Sequence, residues 1–297
     1  MREVIFYLSL LFLRYNFCML KADLHIHSNF SDGSDDLKTL ISKIKSAGIN
    51  IFALTDHDTI RGCKEMIALV PNDMKFIPSI ELTSKTDTVK CHILGYNCNP
   101  DDEELNSLIE KGKLLRKHKL ETRIKYLKDV WNIELTQQEL DWLYSRRSVV
   151  KTHLANVLVK RGLAEDNLSA MRKYLDDCKT GNSRFDGHEA IHAIVSAGGI
   201  PVWAHPLGGE GEVHSTQEEF LAKLDIMKQA GIKGLECHYS RYSKYEIDFL
   251  VRCAEENDLF ITGGSDYHGT NKDIPLGKLN VDNIPVSADS LTILNVL

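Results

Sequence analysis

Two histidines and a nearby aspartate, His25, His27 and Asp32, form the first group of residues in this chain that could do chemistry. Leu24 and Ile26 alternate with the histidines, which predicts a strand whose side chains two residues apart share a face. Both imidazoles then face one point, and a Ser/Asp/Gly turn can bring Asp32 back toward it. Because imidazole and carboxylate together suit zinc, manganese or iron, the stretch predicts half of a metal site. The alternative is a pair of solvated histidines at a strand end.

The same spacing of two residues recurs near the far end of the chain, at Asp266 and His268. Between the two ends, further side chains that can bind metals follow predicted strands, among them His57, Glu81 and His205. Sites in parallel barrels are built where strands end, so we expect these side chains to meet at one mouth. The candidate metal ligands are His25, His27, Asp32, His57, Glu81, His92, His205, Asp266 and His268.

Nine ligands are too many for one ion and suit two or three divalent ions, which manganese, zinc or iron could provide. Carboxylates can share two ions whereas a neutral imidazole cannot, so Glu81 and Asp266 are the expected bridging ligands.

Alternating strand and helix patterns flank a long segment of different character. Residues 21–99 and 187–297 carry the alternation, which predicts an α/β fold with a parallel sheet closed or nearly closed into a barrel. Residues 100–186 are charged and rich in helix patterns, and we interpret them as a helical insertion between the two parts of the barrel. The first 20 residues include an apolar run at 4–13, which is too short to span a bilayer. We expect an apolar extension there, with Met19 as an alternative start of translation.

Composition narrows the classes of function. The chain has 297 residues, 43% of them hydrophobic, and a formal net charge of -6, which argues against a broad basic surface for long duplex nucleic acid. Its seven cysteines are scattered and lack a Cys-x-x-Cys pair, which fits a reducing cytoplasm. We therefore expect a cytoplasmic protein that binds a small phosphorylated substrate, without a membrane or an obligate protein partner.

At the ligand positions the chain resembles the PHP (polymerase and histidinol phosphatase) family of metal-dependent phosphoesterases. The resemblance covers nearly everything from Lys21 onward. It implies a distorted seven-stranded (β/α) TIM-like barrel with up to three metal ions. The motifs are Asp-Leu-His-Ile-His-Ser (23–28) with Asp32, Thr-Asp-His-Asp-Thr (55–59), Ile-Glu-Leu-Thr (80–83), Cys-His-Ile-Leu-Gly-Tyr (91–96), Ala-His-Pro (204–206) and Gly-Ser-Asp-Tyr-His-Gly (264–269).

Within the family, the insertion and the segment at 149–155 look like the branch that hydrolyses nucleotide phosphates. That branch includes 3′,5′-nucleotide bisphosphate phosphatases and the 5′-3′ exoribonuclease called ribonuclease AM. Lys151 stands where the branch usually has arginine, and it can meet a phosphate as a point charge without the bidentate fork. The resemblance implies that His153 is the proton donor to the leaving oxygen, with a metal-bound water as the alternative.

Four further polar residues are candidates for the site. We expect Asp56 to orient a ligand or the nucleophilic water. Arg116 lies with Lys119 and Arg123 on a helical face that could meet a phosphate, and a solvated charged face is the alternative. His238, with Glu236, ends another predicted strand, and we expect this pair to orient a ligand or to contact substrate; a surface role is the alternative.

Other functions remain open at this point. A phosphatase for another small metabolite such as histidinol phosphate, a proofreading-type exonuclease and a metal-binding module without activity all fit parts of the pattern. His188-Glu189-Ala190-Ile191-His192 is formally the zinc metalloprotease signature on a helix. The extended form of that signature is missing, because Val195 and Gly198 occupy the positions of its glycine and third histidine. We therefore interpret His188 and His192 as surface or packing residues.

Overall fold

The computed structural model describes residues 20–145, 149, 151–181 and 184–297. The expected N-terminal extension and its alternative start at Met19 lie outside the described residues, apart from Leu20. Among the residues that are described, no helix combines the length and the apolar character needed to cross a bilayer.

The described chain alternates strands and helices around a long helical stretch. The strands are β1 (Ala22–Ile26), β2 (Ile51–Leu54), β3 (Lys75–Thr86), β4 (Val89–Tyr96), β5 (Phe185–Asp186), β6 (Ile200–Trp203), β7 (Gly234–Tyr239) and β8 (Phe260–Gly264). The helices are α1 (Leu37–Ser46), α2 (Arg61–Ile67), α3 (Glu103–Trp131), α4 (Gln137–Tyr144), α5 (Lys151–Lys160), α6 (Asn167–Tyr174), α7 (Gly187–Ser196), α8 (Gln217–Ala230) and α9 (Lys244–Glu256).

The strands form one nearly closed barrel, in the order β1-β2-β3-β4-β6-β7-β8, with β5 beside β3. The last strand returns to the first, since His27 N donates to Tyr267 O at 2.9 Å and Asp266 N donates to His25 O at 2.9 Å. Gly264 permits this approach, because a Cβ atom there would lie 2.2 Å from His25 Cβ. The expected distorted α/β barrel is confirmed.

The expectation of a wholly parallel sheet was wrong at β4, which runs antiparallel to both β3 and β6. Only Asp87 and Thr88 lie between the paired residues Thr86 and Val89, and a parallel crossover needs about a dozen residues. This hairpin also extends β3 past its predicted end, so Glu81 lies within a strand and not after one.

Three hydrophobic clusters hold the described fold together. One lies inside the barrel and includes Leu24, Leu94 and Val202. A larger cluster packs the sheet against its surrounding helices. The third joins the second half of α3 to α4, α5 and α6 through residues such as Leu127 and Leu158. The first half of α3 belongs to the larger cluster, so this one helix ties the helical segment to the barrel.

Candidate metal centre

The carboxylate of Glu81 lies at the centre of the barrel mouth. It enters from β3, is completely buried and is surrounded by imidazoles from both halves of the barrel. Its Oε2 atom lies 3.1 to 3.2 Å from nitrogens of His25, His27 and His57. Its Oε1 atom lies 2.9 Å from His92 Nδ1 and 3.2 Å from His205 Nε2. Five candidate ligands that are far apart in sequence therefore meet at one carboxylate.

Two aspartates complete the cluster. Asp32 Oδ1 lies 3.2 Å from His268 Nε2, and Asp32 Oδ2 lies 3.9 Å from His57 Nε2. Asp266 Oδ1 lies 3.3 Å from His27 Nε2 and 3.5 Å from His25 Nε2. The structure thus brings all nine predicted ligands to one place.

Three overlapping groups in this cluster have ligand atoms close enough to share an ion. His27, His57 and Glu81 each belong to two of the three groups, as expected if neighbouring ions share ligands. They are His27 with Asp32, His57 and His268; His25 with His27 and Glu81; and His57 with Glu81 and His92.

Unsatisfied polar atoms show that the cluster fits metal ions. His27 Nδ1, Asp32 Oδ1, His57 Nδ1 and His268 Nε2 are buried and form no hydrogen bond within the described residues. Buried polar atoms without a partner are rare and costly, and a cation placed between them would satisfy them. The donor set of imidazole nitrogens and carboxylate oxygens suits zinc, manganese or iron.

Electrostatic coupling within the cluster shifts the pKa values of its carboxylates and imidazoles in different directions. Burial alone would raise the pKa of Glu81 and of Asp32, but neighbouring imidazoles, His57 first, lower both pKa values well below the usual range. Burial lowers the pKa of His57 to about 3, which keeps that imidazole neutral. Burial would lower the pKa values of His25, His27 and His205 as well, but neighbouring carboxylates raise them. Metals require ionised carboxylates and neutral imidazoles, so metal binding would release the protons held by these three histidines.

Three residues that are not candidate ligands hold the ligands in position. Glu236 Oε1 lies 2.8 Å from His25 Nδ1, while Oε2 accepts a hydrogen bond from His205 N at 2.7 Å. Tyr239 donates its hydroxyl to Asp266 Oδ2 at 2.9 Å. Lys272 Nζ lies 2.7 Å from the same oxygen. Sequence reasoning missed Tyr239 and Lys272, because no spacing pattern relates them to the ligand they contact.

Asp56 lies beneath the loop that carries Asp32. It is 1% exposed and accepts hydrogen bonds from Ser28 N, Ser28 Oγ and Ser31 Oγ at 2.7 to 2.8 Å. Burial raises the pKa of this carboxyl, and these donors oppose the shift. The geometry therefore makes Asp56 a support for the ligand loop.

The remaining predicted substrate residues lie apart from the nine ligands. Arg116 is buried and pairs with Asp58, and Lys151 pairs with Asp176. His238 has Asp248 of α9 as its charged neighbour, and burial lowers the pKa of its imidazole to about 4. The structure thus does not bring His238 into the cluster.

The metalloprotease-like segment lies on the outer surface of α7. The side chains of His188 and His192 are 52% and 74% exposed, and His192 Nδ1 lies 2.5 Å from Glu104 Oε1. Glu189 pairs with Lys111 at 2.6 Å. Because each of these side chains has its own surface partner, the segment forms no metal site among the described residues.

Comparison with known proteins agrees with this geometry. The PHP domain matches residues 23–179. The chain is 31% identical over 269 residues to a 5'-3' exoribonuclease of Haemophilus influenzae, covering 88% of this chain and 94% of that protein. It is 28% identical over 257 residues to a 3',5'-nucleoside bisphosphate phosphatase of Chromobacterium violaceum, covering 84% and 88%.

Solved structures share the fold. One, described as a metal-dependent phosphoesterase from Bifidobacterium adolescentis, superposes with a TM-score of 0.74 at 24% identity and covers 91% of this chain and 98% of its own. Another, described as an amidohydrolase from Chromobacterium violaceum with bound sulfate, has a TM-score of 0.73 at 25% identity and covers 86% and 90%.

The PHP domain match and the named relatives define the class of this protein, the metal-dependent phosphoric ester hydrolases, and the cluster of candidate ligands agrees with it. The chain belongs to the PHP domain family, as its motifs predicted.

Proposed function

We propose that this protein hydrolyses phosphate monoesters of nucleotides, either 3′,5′-bisphosphates or 5′-nucleotides, and the 5′ ends of short RNA. The observation that carries the proposal is a cationic cavity that borders the ligand cluster through Asp58 and Thr83, where a second phosphate of the substrate would bind. The relatives named for a bisphosphate phosphatase and an exoribonuclease support the same choice of substrate. Both kinds of substrate have phosphate groups on either side of a ribose.

The nine candidate ligands would hold two or three divalent ions of manganese, zinc or iron, with Glu81 and Asp266 as shared carboxylates. When bound, such ions lower the pKa of water and neutralise the phosphoryl oxygens. Lys272 and Tyr239 would keep Asp266 oriented, and Asp56 would hold the loop of Asp32. His153 faces the same cavity as Asp32 and would give a proton to the leaving oxygen.

The cationic cavity has a volume of about 200 Å³ and lies between α3, α5 and the barrel. Arg116, Lys119, Arg123 and Lys151 line it. Burial, followed by neighbouring positive charges, lowers the pKa of Lys119, and burial also lowers the pKa of Arg123. Arg116 already pairs with Asp58 and Lys151 with Asp176. A bound anion would therefore stabilise chiefly the half-buried Lys119 and Arg123.

The cavity borders the metal centre through two barrel residues, Asp58 and Thr83. Asp58 directly follows the ligand His57, and its N–H donates to Glu81 O at 2.8 Å. Thr83 lies two residues after Glu81 and donates its N–H to Asp58 Oδ1 at 2.8 Å. A substrate with one phosphate at the ligands could thus place another in the cavity. We propose that residues 100–186 are an insertion that supplies these cations.

Phosphate release from the manganese-loaded protein tests the proposal. We expect release from adenosine 3′,5′-bisphosphate, from AMP and from short 5′-phosphorylated RNA, with little from histidinol phosphate. Glu81→Gln should lose bound metal and turnover together, whereas Glu104→Gln on the outer surface should lose neither.

Preferential release from histidinol phosphate would favour the alternative of another small metabolite. Bound metal without turnover on any phosphate ester would point to a metal-binding module and would contradict the proposal.

A further inference from the structure

A second cavity is lined by the candidate ligand Asp32, and its character differs from that of the cationic cavity. It has a volume of about 520 Å³ and extends from Asp32 to α4 and α5. Trp142, His153 and the amide side chains of Asn29, Asn156 and Asn271 line it. Of the described residues that line this cavity, Asp32 alone has a charged side chain. Its carboxylate lies within 3.9 Å of nitrogens of the candidate ligands His57 and His268.

Helix α5 separates the two cavities. Lys151 and Leu154 line the cationic cavity, whereas His153 and Asn156 line the neutral one. Residues three apart share a helix face and residues two apart do not, so the first turns of α5 present a cation to one side and a ring with an amide to the other. A ligand lying across the metal centre would meet both faces of this helix.

The aromatic ring of Trp142 is held in place at the wall of the neutral cavity. Lys160 Nζ lies 5.3 Å from its centroid, and the ring of His153 lies 5.9 Å away at an interplanar angle of 81°. A ring fixed in this way can accept a stacked base without first losing its own rotational freedom.

We propose that the neutral cavity is the nucleobase subsite, in which the base stacks on Trp142 and is hydrogen-bonded by Asn156. This proposal rests on the proposed function, because it assigns a binding site to the base of that same substrate. A base is flat and uncharged and has donors and acceptors on its edge, which an asparagine amide can meet with both of its groups. Stacking tolerates any base, so this subsite recognises a nucleoside without selecting a sequence.

The subsite can be tested by comparing the kinetics of a substrate that has a base with those of an analogue that lacks it. The substrates are adenosine 3′,5′-bisphosphate and its analogue in which a tetrahydrofuran ring replaces the nucleoside. For Trp142→Ala we expect KM for the adenosine substrate to rise about tenfold or more, with KM for the base-free analogue unchanged. Trp142→Phe should retain most of the affinity for the base. Trp131→Phe is the matched control, because Trp131 packs edge to face against Tyr174, with ring centroids 4.9 Å apart, and lines neither cavity.

A second measurement does not depend on turnover or on metal. Adenosine added to the metal-free protein should quench tryptophan emission in the wild type and in Trp131→Phe, but not in Trp142→Phe. Equal losses of both substrates in Trp142→Ala, or quenching that survives in Trp142→Phe, would overturn the subsite. If the wild type hydrolyses neither substrate, the proposed function fails, and the quenching experiment still decides whether the cavity binds a base.

Discussion

The carboxylate of Glu236 lies 2.8 Å from His25 Nδ1 and thereby determines which nitrogen of this imidazole faces the ligand cluster. A carboxylate accepts hydrogen bonds, so His25 Nδ1 donates to Glu236 and Nε2 is the nitrogen that faces Glu81 and His27. Glu236 is completely buried on β7, and its second oxygen holds the backbone of His205. One side chain therefore positions two candidate ligands.

We predict that Glu236→Gln binds metal about 10- to 100-fold more weakly than the wild type, because the imidazole of His25 loses its fixed orientation. Manganese titration of the metal-free protein measures this directly. Glu246→Gln is the control, since Glu246 Oε1 lies 2.5 Å from His214 Nδ1 outside the ligand cluster. Wild-type metal affinity in Glu236→Gln would show that the orientation of His25 does not depend on this carboxylate.

Removal of metal should abolish turnover and lower thermal stability together. Without the ions, His27 Nδ1, Asp32 Oδ1 and His268 Nε2 are buried and form no hydrogen bond within the described residues. Because ligands that bind only the folded state stabilise it, adding manganese back should raise the melting temperature as well as restore activity. Full turnover after dialysis against chelator, with metal analysis confirming removal, would contradict the prediction.

Lys151→Ala should raise KM about tenfold for a substrate with two phosphates and change kcat little. The lysine faces the cationic cavity and would contribute a charge-assisted hydrogen bond to the phosphate that does not react. Lys117→Ala removes the same charge from an exposed position of α3 and should leave KM unchanged. A large fall in kcat without a change in KM would place Lys151 at the reacting phosphate instead.

The ion pair of Glu139 and Arg161 makes the stability of the helical segment depend on pH. Arg161 Nε donates to Glu139 Oε1 at 2.6 Å, and this pairing lowers the pKa of Glu139 to about 2 from 4.5. A lowered pKa means that the pair stabilises the fold fully above pH 4.5 and progressively less as the pH falls toward 2.

Glu139→Gln should therefore cost about 1 kcal/mol at pH 7, a modest value because the side chain is 23% exposed and water screens the pair. The cost should shrink at pH 3. Urea unfolding of both proteins at the two pH values measures the difference. The exposed pair of Glu134 and Lys128 supplies the control variant Glu134→Gln, for which we expect no measurable change. A cost that does not change with pH would mean that Glu139 stabilises only the start of α4 and that its ion pair with Arg161 contributes nothing.

The sequence predicted the barrel through patterns that are local. The alternation around His25 and His27, and its repeat at Asp266 and His268, needs only the geometry of a strand. The antiparallel β4 was missed because the overall alternation of strands and helices predicted a parallel sheet, although the two-residue connection at Asp87 and Thr88 favours a hairpin. His238 also follows the expectation of a polar residue at a strand end, but its charged neighbour is Asp248 and it lies outside the cluster. A position at a strand end is therefore not enough to predict a site residue.

By itself, the sequence determined the types and order of the candidate ligands and the family to which the chain belongs, because motif residues and their spacing are local properties. Only the tertiary structure decided that Glu81 is central, that Glu236 orients His25 and that Arg116 pairs with Asp58. The separation of a cationic from a neutral cavity by α5 is likewise a tertiary property. The contacts of Glu81 and Glu236 with His25 and of Arg116 with Asp58 join residues 56 to 211 positions apart, and packing, not sequence spacing, sets the distances between them.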